Sequence, residues 1–336
     1  MMMTIRPAGL SDLAALADLL LADAESRCAR DPDLWKLHND PRQKILASVT
    51  TALEADNPPF RQQWLVAEAD RRIIGVTHSI LLPVPPIYAG EFGPPGLIME
   101  DCCIAANAPP ETRSKLFDAT AADLADAGAR ILLASSVAGG DWERHYMRQG
   151  LEPLTMYFAK SGLSTASAVP DVRQALSEDV PSIVASSATN RQILNDLHPL
   201  FWRPHVEADI RFGAWMKRSL TLSDRDLFVS ETAGRVRGYA ISQPATPLHF
   251  PPPHDIATVG VIDDFFHEEL VDARTLQADG IQAAALFEAA EAARGRRDNT
   301  SVLVVCPAAW TSKIELLRKA GYKNAVTWFI RAPDCA

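Results

Sequence analysis

Two pairs of adjacent carboxylic acids are the residues of this sequence best suited to proton transfer. Glu100-Asp101 and Asp263-Asp264 each follow an apolar stretch, so each pair is expected near the end of a strand. A carboxylate accepts a proton and a phenol such as that of Tyr146 donates one, so these groups could serve general acid–base chemistry. The alternative for the acids is a turn cap or a solvent-facing position. The alternative for Tyr146 is core packing with its hydroxyl satisfied.

Other chemistries find little support in the spacing of reactive residues. The eight histidines have no metal-ligand spacing, since His249 and His254 only flank a proline loop, and no metal is expected. The five cysteines form no Cys-x-x-Cys pair. The sequence contains no phosphate-binding loop of the Walker type and no Gly-x-Ser-x-Gly elbow. Kinase, hydrolase and zinc-enzyme interpretations therefore have no support.

Composition limits the partners. The chain has 336 residues, 47% of them apolar, and a net charge of −9, which argues against non-specific nucleic-acid binding. No apolar run approaches the ~20 residues that cross a bilayer, and the N-terminus lacks the order of a signal peptide. Odd, unpatterned cysteines are typical of reduced thiols. We therefore expect a cytoplasmic protein that binds neither nucleic acid nor membrane.

The chain repeats itself once. Ile5-Arg6-Pro7-Ala8 recurs as Val172-Arg173-Gln174-Ala175, and Met99-Glu100-Asp101 recurs as Ile262-Asp263-Asp264. The intervening matches keep the same order, and the offset changes only where loops are expected. Residues 161–170 are small and polar and end at a proline, which is typical of a linker. The sequence thus predicts one domain over 1–160, a linker over 161–170 and a second domain over 171–336.

Each half has the same predicted order of elements. A strand near Ile5, a helix from Leu13 to Ala22 and a second, Trp-containing helical stretch come first. Two strands, a proline-rich loop and a strand from Gly96 to Ala105 follow, then a helix from Glu111 to Ala127. A strand, the short helix Asp141–Gln149 and a last strand complete the half. This order predicts an α/β fold, with a mixed twisted sheet flanked by helices in each half.

This pattern resembles the GNAT acyl-CoA N-acyltransferases, present twice over nearly the whole chain. The resemblance is carried by the paired acids and by a helix-to-strand signature in which a large apolar residue follows a glycine. The signature is seen in His145-Tyr146-Met147-Arg148-Gln149-Gly150-Leu151 and in Leu316-Leu317-Arg318-Lys319-Ala320-Gly321-Tyr322. Tandem members of that family exist, so two degenerate GNAT-like domains are the predicted fold.

The resemblance implies acetyl-CoA, or another acyl-CoA, as co-substrate. In the family its pyrophosphate sits on a glycine-containing loop that opens a helix. Gln277-Ala278-Asp279-Gly280-Ile281-Gln282 matches two of the three fixed positions, whereas residues 105–112 contain no glycine and include Pro109 and Pro110, which lack N–H groups. The resemblance therefore assigns the co-substrate to the second half, at Phe265, Phe266, Gln277, Gly280, Ile281, Gln282 and Ala283.

The resemblance also implies catalytic roles. A strand carboxylate often serves as the base, which suggests Asp263 or Asp264, and Glu100 or Asp101. The tyrosine four residues before the last glycine often protonates the departing thiolate. Tyr146 occupies that position in the first half, and Leu317, which has no proton to donate, occupies it in the second.

The resulting hypothesis is an acyl-CoA-dependent N-acyltransferase that transfers an acetyl group to a small amine, with the co-substrate in the second half. Three alternatives stay open. The fold could persist as a non-catalytic protein that binds a ligand or a partner, the donor could carry a longer acyl or an aminoacyl group, and the chain could form a homodimer. The acceptor is expected near Trp35, Phe201, Trp202, Trp215 and Phe250, most of which are equally suited to packing between the halves.

Overall fold

The computed structural model describes residues 3–55, 58–166 and 171–332. Part of the predicted linker, residues 167–170, and Cys335 lie outside them. The first half contains, in chain order, β1 (Met3–Pro7), α1 (Leu13–Arg30), α2 (Pro41–Glu54), β2 (Gln62–Ala69), β3 (Arg72–Leu81), β4 (Gly96–Ile98), β5 (Cys103–Ile104), α3 (Thr112–Asp126), β6 (Leu132–Val137), α4 (Asp141–Arg148) and β7 (Glu152–Ser161).

The second half repeats this order. It contains β8 (Val172–Gln174), α5 (Val180–Leu197), α6 (Pro199–Trp202), α7 (Ala208–Ser219), β9 (Asp226–Thr232), β10 (Arg235–Pro244), β11 (Val259–His267), α8 (Ile281–Arg296), β12 (Ser301–Pro307), α9 (Thr311–Lys319) and β13 (Lys323–Arg331). The described elements therefore agree with the internal repeat and with the predicted α/β composition.

One sheet runs through both halves, in the order β1-β2-β3-β4-β6-β13-β7-β12-β11-β10-β9-β8. The last strand of each half pairs with the other half. β13 lies between β6 and β7 and is antiparallel to both, and β7 also pairs with β12. The two sequence repeats therefore share their central strands. The boundary at 161–170 stays a prediction.

The start of each half is held by the same ion pair. Arg6 Nη1 lies 2.7 Å from Asp12 Oδ2, and Arg173 Nη1 lies 2.7 Å from Asp179 Oδ2. The guanidinium lowers the pKa of each aspartate below its ordinary value. Asp12 also accepts the N–H of Gly9 at 2.9 Å, so its carboxylate fixes the turn that leads into α1. The ion pair is a three-dimensional counterpart of the sequence repeat.

The first helix of each half packs differently. α1 buries Leu16, Ala17, Leu20 and Ala24 against the sheet, at helical spacing. Burying a leucine contributes about 2 kcal/mol, so this face holds α1 in place. α5 buries Val180 and Ile183 near its start and three polar residues farther along, namely Ser187, Asn190 and Arg191, whereas the one buried polar residue of α1 is Arg27. Because buried polar groups need hydrogen-bond partners, this face of α5 is expected to do more than pack against the sheet.

The central strand of each half is irregular at its acidic pair. In the first half the ladder with β3 is interrupted between Ile98 and Cys103, and Glu100-Asp101 lies in the interruption. In the second half the register with β10 shifts between Asp264 and Ile262, so Asp263 is the extra residue of a bulge. Each irregularity turns a carboxylate out of the regular ladder. The predicted continuous strand from Gly96 to Ala105 is therefore two short strands.

Candidate functional site

A cleft opens where β4 and β6 separate. The two strands are parallel and paired from Gly96–Ile98 opposite Leu132–Ala134. Beyond Ile98 the chain leaves this ladder, and β5 pairs with β3. A cavity of about 560 Å³ lies in the gap, and we call it the N-terminal cleft. Its walls come from α1, residues 100–106, the end of β6 and the first turns of α3 and α4. They include Arg27, Arg30, Glu100, Ala106, Arg113 and Trp142.

Glu100 places a buried carboxylate in the wall of this cleft. Its exposed fraction is 5%, and neither carboxylate oxygen has a hydrogen-bond partner within 3.5 Å in the described part of the chain, although the hydroxyl of Ser135, itself unpaired, lies near enough to lower its pKa. Burial raises the pKa of Glu100 to about 7, with a further contribution from the charge of Asp101. Arg27 opposes this rise, and its guanidinium donates to the main-chain oxygen of Glu100. A carboxyl group with a pKa near neutrality is suited to act as a general base.

Asp101 is already engaged. His78 Nδ1 lies 3.0 Å from Asp101 Oδ1, and the imidazole of His78 stacks on Trp64 with ring centroids 4.0 Å apart. Asp101 therefore has a structural partner that Glu100 lacks. Of the two acids predicted in this half, Glu100 is the one whose oxygens are left for a ligand.

Tyr146 lies behind the cleft, fully buried among aromatic rings. Trp142, Phe117 and Phe329 surround it, with ring centroids 5.5, 6.0 and 5.9 Å away. Its hydroxyl has no hydrogen-bond partner among the described residues. Burial raises the pKa of Tyr146 well above its ordinary value, and the nearby charge of Glu100 adds to the rise. The phenol is therefore protonated at neutral pH and lies within electrostatic reach of Glu100.

Cations line the cleft where a phosphate group would need them. Arg113, in the first turn of α3, lies 3.3 Å from Asp141 Oδ2, while its Nε is buried without a partner in the described chain. In the described part of the chain, no carboxylate lies within 4.0 Å of the guanidinium of Arg30. The preceding loop, residues 105–112, contains no residue with positive φ. Binding of an anion here would rely on side-chain charge rather than on a glycine loop.

The second half holds its acids differently. Asp264 Oδ1 accepts hydrogen bonds from Tyr239 Oη at 2.7 Å and from Asn190 Nδ2 at 3.1 Å. Asp263 Oδ2 accepts from Gln243 Nε2 at 2.5 Å. The side chain of Asp263 is exposed and lies in the wall of a cavity that it shares with Asp264.

The loop predicted to hold the pyrophosphate already holds a carboxylate. Ala278, Asp279 and Gly280 have φ values of 46°, 55° and 69°, which turn the chain into α8. At the start of α8 the N–H of Ala283 donates to Glu269 Oε2 at 2.8 Å. A helix N-terminus attracts anions, and here the carboxylate of Glu269 already accepts one of its N–H groups.

The predicted contact residues of this loop differ in burial: Gly280 and Ala283 are buried, Gln282 is half-buried, and Gln277 and Ile281 are exposed. Gly280 is buried, and a Cβ on it would lie 2.9 Å from Leu276 Cδ1 and 3.0 Å from Leu316 Cδ1. A substitution there would therefore disturb packing whether or not a phosphate binds. Ile281 is 66% exposed. Gln282 follows it, and its buried Oε1 has no hydrogen-bond partner in the described part of the chain.

The gap beside β11 is filled by a lysine. Phe265 and Phe266 are both buried, and Lys313 Nζ donates to the main-chain oxygen of Phe265 at 2.5 Å. The ammonium also lies 4.6 Å from the centroid of Trp310. Burial lowers the pKa of Lys313. The strand edge that is open in the first half is therefore occupied by a side chain in the second.

Sequence analysis missed Arg27, Glu269 and Lys313. Each of these residues contacts a segment that is distant in the sequence, and none belongs to a motif. Only a comparison of equivalent positions in the two repeats could have identified them. Among the predicted aromatic residues, Trp35 packs on Phe250 with centroids 5.1 Å apart, which joins the two halves. Groups of three or more metal-ligating side chains are not found in the described residues, and none of the described helices is long and apolar enough to cross a bilayer.

Comparison with known proteins identifies the fold. No family model and no curated protein matches the sequence. A solved GCN5-related N-acetyltransferase from Sphaerobacter thermophilus matches with a TM-score of 0.59 at 14% identity, over 99% of this chain and 96% of that one. The chain has the GNAT fold. A tandem GNAT protein from the clavulanic acid biosynthesis pathway, solved without AcCoA, matches over 100% of both chains with a TM-score of 0.48 at 10% identity. The predicted fold class is confirmed.

Proposed function

We propose that this GNAT-fold protein is an acyl-CoA-dependent N-acyltransferase whose acyl-CoA binds in the N-terminal cleft. The observation that carries the proposal is Glu100, a buried carboxylate without a partner in the described chain, in the wall of an open cleft. Leaving a buried charged group unpaired is costly, so a ligand or a reacting proton is the expected reason for it.

The cleft suits the charge and shape of the co-substrate. Arg30 and Arg113 offer positive charge to phosphates, and the buried Nε of Arg113 has a donor to spare in the described structure. The absence of glycine from residues 105–112 is compensated by these side chains and by the small residues Ala105 and Ala106. Acyl-CoA supplies a thioester, the activated form of the acyl group.

Glu100 and Tyr146 would divide the proton transfers. Glu100, ionised above a pKa of about 7, takes the proton from the attacking amine as the nitrogen–carbon bond forms. Tyr146, kept protonated by burial, donates to the sulfur as the carbon–sulfur bond breaks. Both residues are in the first half: Glu100, Arg30 and Arg113 line the cleft, and Tyr146 packs behind Trp142, which also lines it.

The acceptor is a small amine. A second cavity of about 450 Å³ shares Arg30 and Val137 with the N-terminal cleft and includes Asp31 and Trp35, so it offers a route to Glu100.

The sequence-based assignment of acyl-CoA to the second half stays a prediction, with Asp263 or Asp264 as its base. Against it stand two contacts, those of Glu269 with the start of α8 and of Lys313 with Phe265. Binding there would require both side chains to leave. We therefore favour the first half. Homodimer formation also stays a prediction.

Release of the CoA thiol tests the proposal. The protein is mixed with acetyl-CoA and a panel of small amines, and thiol release is followed with and without each amine. Amine-dependent release that is lost in Glu100→Gln and kept in Asp263→Asn supports the proposal. If acetyl-CoA binds and no amine is acylated, the non-catalytic alternative is favoured. Release with a longer or aminoacyl donor alone would revise the acyl group.

A further inference from the structure

A buried arginine holds the main chain at the proposed base. Arg27, near the end of α1, is 3% exposed, and its guanidinium donates to the main-chain oxygen of Glu100. The same nitrogen, Nη2, lies 2.5 Å from Asp23 Oδ2, one helical turn earlier. A buried charge needs such partners, and the loss of one of them is costly. Arg27 therefore fixes the chain at the point where the Glu100 carboxylate enters the wall of the N-terminal cleft.

An aromatic ring lies against this arginine. The guanidinium carbon of Arg27 is 5.5 Å from the ring centroid of Trp35, a distance at which an aromatic face stabilises a cation. Trp35 is 3% exposed. Its N–H donates to the main-chain oxygen of Asp31 at 2.9 Å, so the chain turns directly after α1 and brings the ring back to the helix. The position of Arg27 therefore depends on the position of Trp35.

The second half holds the ring of Trp35. The rings of Phe250 and His254 each lie 5.1 Å from it, and His254 Nδ1 is 3.0 Å from the main-chain oxygen of Trp35. Burial, with a contribution from the charge of Arg27, lowers the pKa of His254 to about 4. The imidazole is therefore neutral at pH 7, and its Nδ1–H is the group that can donate to a carbonyl oxygen.

Main-chain hydrogen bonds fix the same contact. The N–H of His38 donates to the oxygen of Pro253 at 3.0 Å, and that of Asp255 donates to the oxygen of Lys36 at 2.7 Å. Residues 36–38 and 253–255 thus pair like two short antiparallel strands. We call residues 250–255 of the second half, with their contacts to residues 35–38, the inter-half clamp.

The clamp reaches the proposed base without touching the cleft. Neither Phe250 nor His254 lines the N-terminal cleft, yet both hold the ring that lies on Arg27. We propose that the inter-half clamp positions Glu100, because it keeps Trp35 against Arg27 and Arg27 keeps the main chain of Glu100 in place. Phe250, His254 and Arg27 are positioning residues in this sense. The inference rests on the proposed function, since it gives the second half a role in catalysis by the first.

The charges around Glu100 make this positioning measurable. The titratable groups within electrostatic reach of its carboxylate are Asp101, Arg27, Cys102, Tyr146 and Tyr157. Burial raises the pKa of the thiol and of both phenols, so these three groups are uncharged at neutral pH. The charge of Asp101 raises the pKa of Glu100, and that of Arg27 lowers it. Displacement of Arg27 should therefore raise the pKa of Glu100.

The first test is a substitution in the second half whose effect is measured in the first. Phe250→Ala and His254→Ala each remove a side chain that holds Trp35. We expect kcat to fall about tenfold or more, because the base is misplaced, while the affinity for acetyl-CoA is kept. The pH at which kcat/KM levels off should rise by at least about 0.5 pH unit.

The matched control is Arg211→Gln. It also breaks a contact between the halves, since Arg211 Nη1 donates to the main-chain oxygen of Pro86 at 2.8 Å. This variant should keep the kcat and the pH profile of the wild type. Equal effects in Arg211→Gln and Phe250→Ala would overturn the proposal, because any loosening between the halves would then suffice.

An unfolding cycle measures the same coupling without turnover. Thermal unfolding is compared with and without Glu100→Gln, between pH 5 and 9, in the wild type, in Phe250→Ala and in Arg27→Gln. The gain in stability from Glu100→Gln levels off where the folded protein ionises Glu100. The proposal predicts a higher pH for this point in both variants than in the wild type. If Phe250→Ala does not fold, Phe250→Leu takes its place, since it keeps an apolar side chain and removes the ring.

The two measurements separate the clamp from the proposed function. If the wild type transfers no acyl group, the proposed function fails, and the unfolding cycle still decides whether the clamp acts on Glu100. A lower kcat with an unchanged pH profile and an unchanged cycle would overturn the clamp alone. Phe250→Ala added to Arg27→Gln should cause no further displacement of the profile, because both act through one contact. An additive displacement would overturn the route through Arg27.

Discussion

The two halves of this protein share one fold and differ in what occupies the gap beside the central strand. In the first half the gap is open, and Ala106 lies where Glu269 follows the strand in the second. The second half fills its gap with Lys313 and satisfies the start of α8 with Glu269. The proposal that the first half binds acyl-CoA rests on this difference in side chains, together with the different loop that precedes the helix in each half.

The same comparison separates the catalytic candidates. Glu100 and Tyr146 are buried and leave their oxygens unpaired within the described structure. At the corresponding places in the second half, Asp263 is held by Gln243 and a leucine, Leu317, replaces the tyrosine. The half that lacks the glycine loop therefore retains the groups that transfer protons. The assignment from the phosphate motif and the assignment from the proton-transfer groups therefore point to different halves, and the titrations below distinguish them.

The largest expected effect is on turnover in Glu100→Gln. Loss of the base should reduce kcat/KM about 100- to 10,000-fold, whereas Asp263→Asn should change it little. In the wild type, kcat/KM should rise with pH and level off above about 7, because the base must be ionised. Steady-state kinetics between pH 5.5 and 9 check both statements. An equal reduction of kcat/KM in the two variants would contradict the proposed difference between the halves.

Glu100 should also affect stability, with a predictable sign. Burial raises its pKa from 4.5 to about 7, so the folded state favours the protonated form, and stability is lost as the pH rises between those values. Glu100→Gln should therefore be more stable than the wild type at pH 8, and the difference in stability should be smaller at pH 5. Thermal unfolding at the two pH values measures the difference, and a variant that is less stable at pH 8 would argue against an uncompensated buried charge.

Tyr146→Phe should slow turnover about tenfold or more while the protein stays folded. The hydroxyl has no described partner, so removing it costs no hydrogen bond and relieves an unsatisfied buried group. The melting temperature should stay the same or rise, and affinity for acetyl-CoA should be kept. A lower melting temperature together with unchanged turnover would assign Tyr146 to packing alone.

Arg113→Gln would give the first half the residue found at the start of α8. We expect about tenfold weaker binding of acetyl-CoA, or about 1.4 kcal/mol, because a charged donor to phosphate is lost. Dephospho-CoA and pantetheine thioesters provide the control. If the variant weakens pantetheine binding equally, Arg113 acts on the structure of the cleft and not on phosphate.

The smallest effect is expected in Glu269→Ala. It removes the acceptor for Ala283 N–H at the start of α8, which should cost about 1 kcal/mol in the free energy of unfolding. Acetyl-CoA affinity should stay as in the wild type, since the proposed binding cleft is in the other half. Urea unfolding and a parallel titration measure the two quantities. Tighter binding in this variant would mean that the second half also accepts the co-substrate.

Much of the fold could be predicted from the sequence. The repeated Arg-to-Asp spacing, the paired acids and the signature around Gly150 and Gly321 lead to two GNAT-like halves. The exchange of β7 and β13 could not be predicted, because both strands have the same pattern and fit either sheet. The local sequence determines that a segment forms a strand, whereas the packing of the complete fold determines which strands it pairs with.

The site was predicted less well than the fold, for a similar reason. Glu100 and Tyr146 stand in recognisable positions, but their lack of partners depends on the surrounding packing. Glu269 is 14 residues before the N–H that it satisfies, across a loop whose course no motif describes. The phosphate-loop interpretation of Gly280 stays a prediction, and the sequence does not reveal that a Cβ at this position would meet Leu276 and Leu316.

The most direct measurement is a calorimetric titration of acetyl-CoA into the wild type, Ala106→Glu and Ala106→Gln. Ala106 is exposed in the cleft wall, so the first variant puts a carboxylate there, as Glu269 does in the second half, and the second variant controls for size. The account predicts one site per chain, lost in Ala106→Glu and largely kept in Ala106→Gln. Binding of wild-type strength in Ala106→Glu would contradict it and return the co-substrate to the second half.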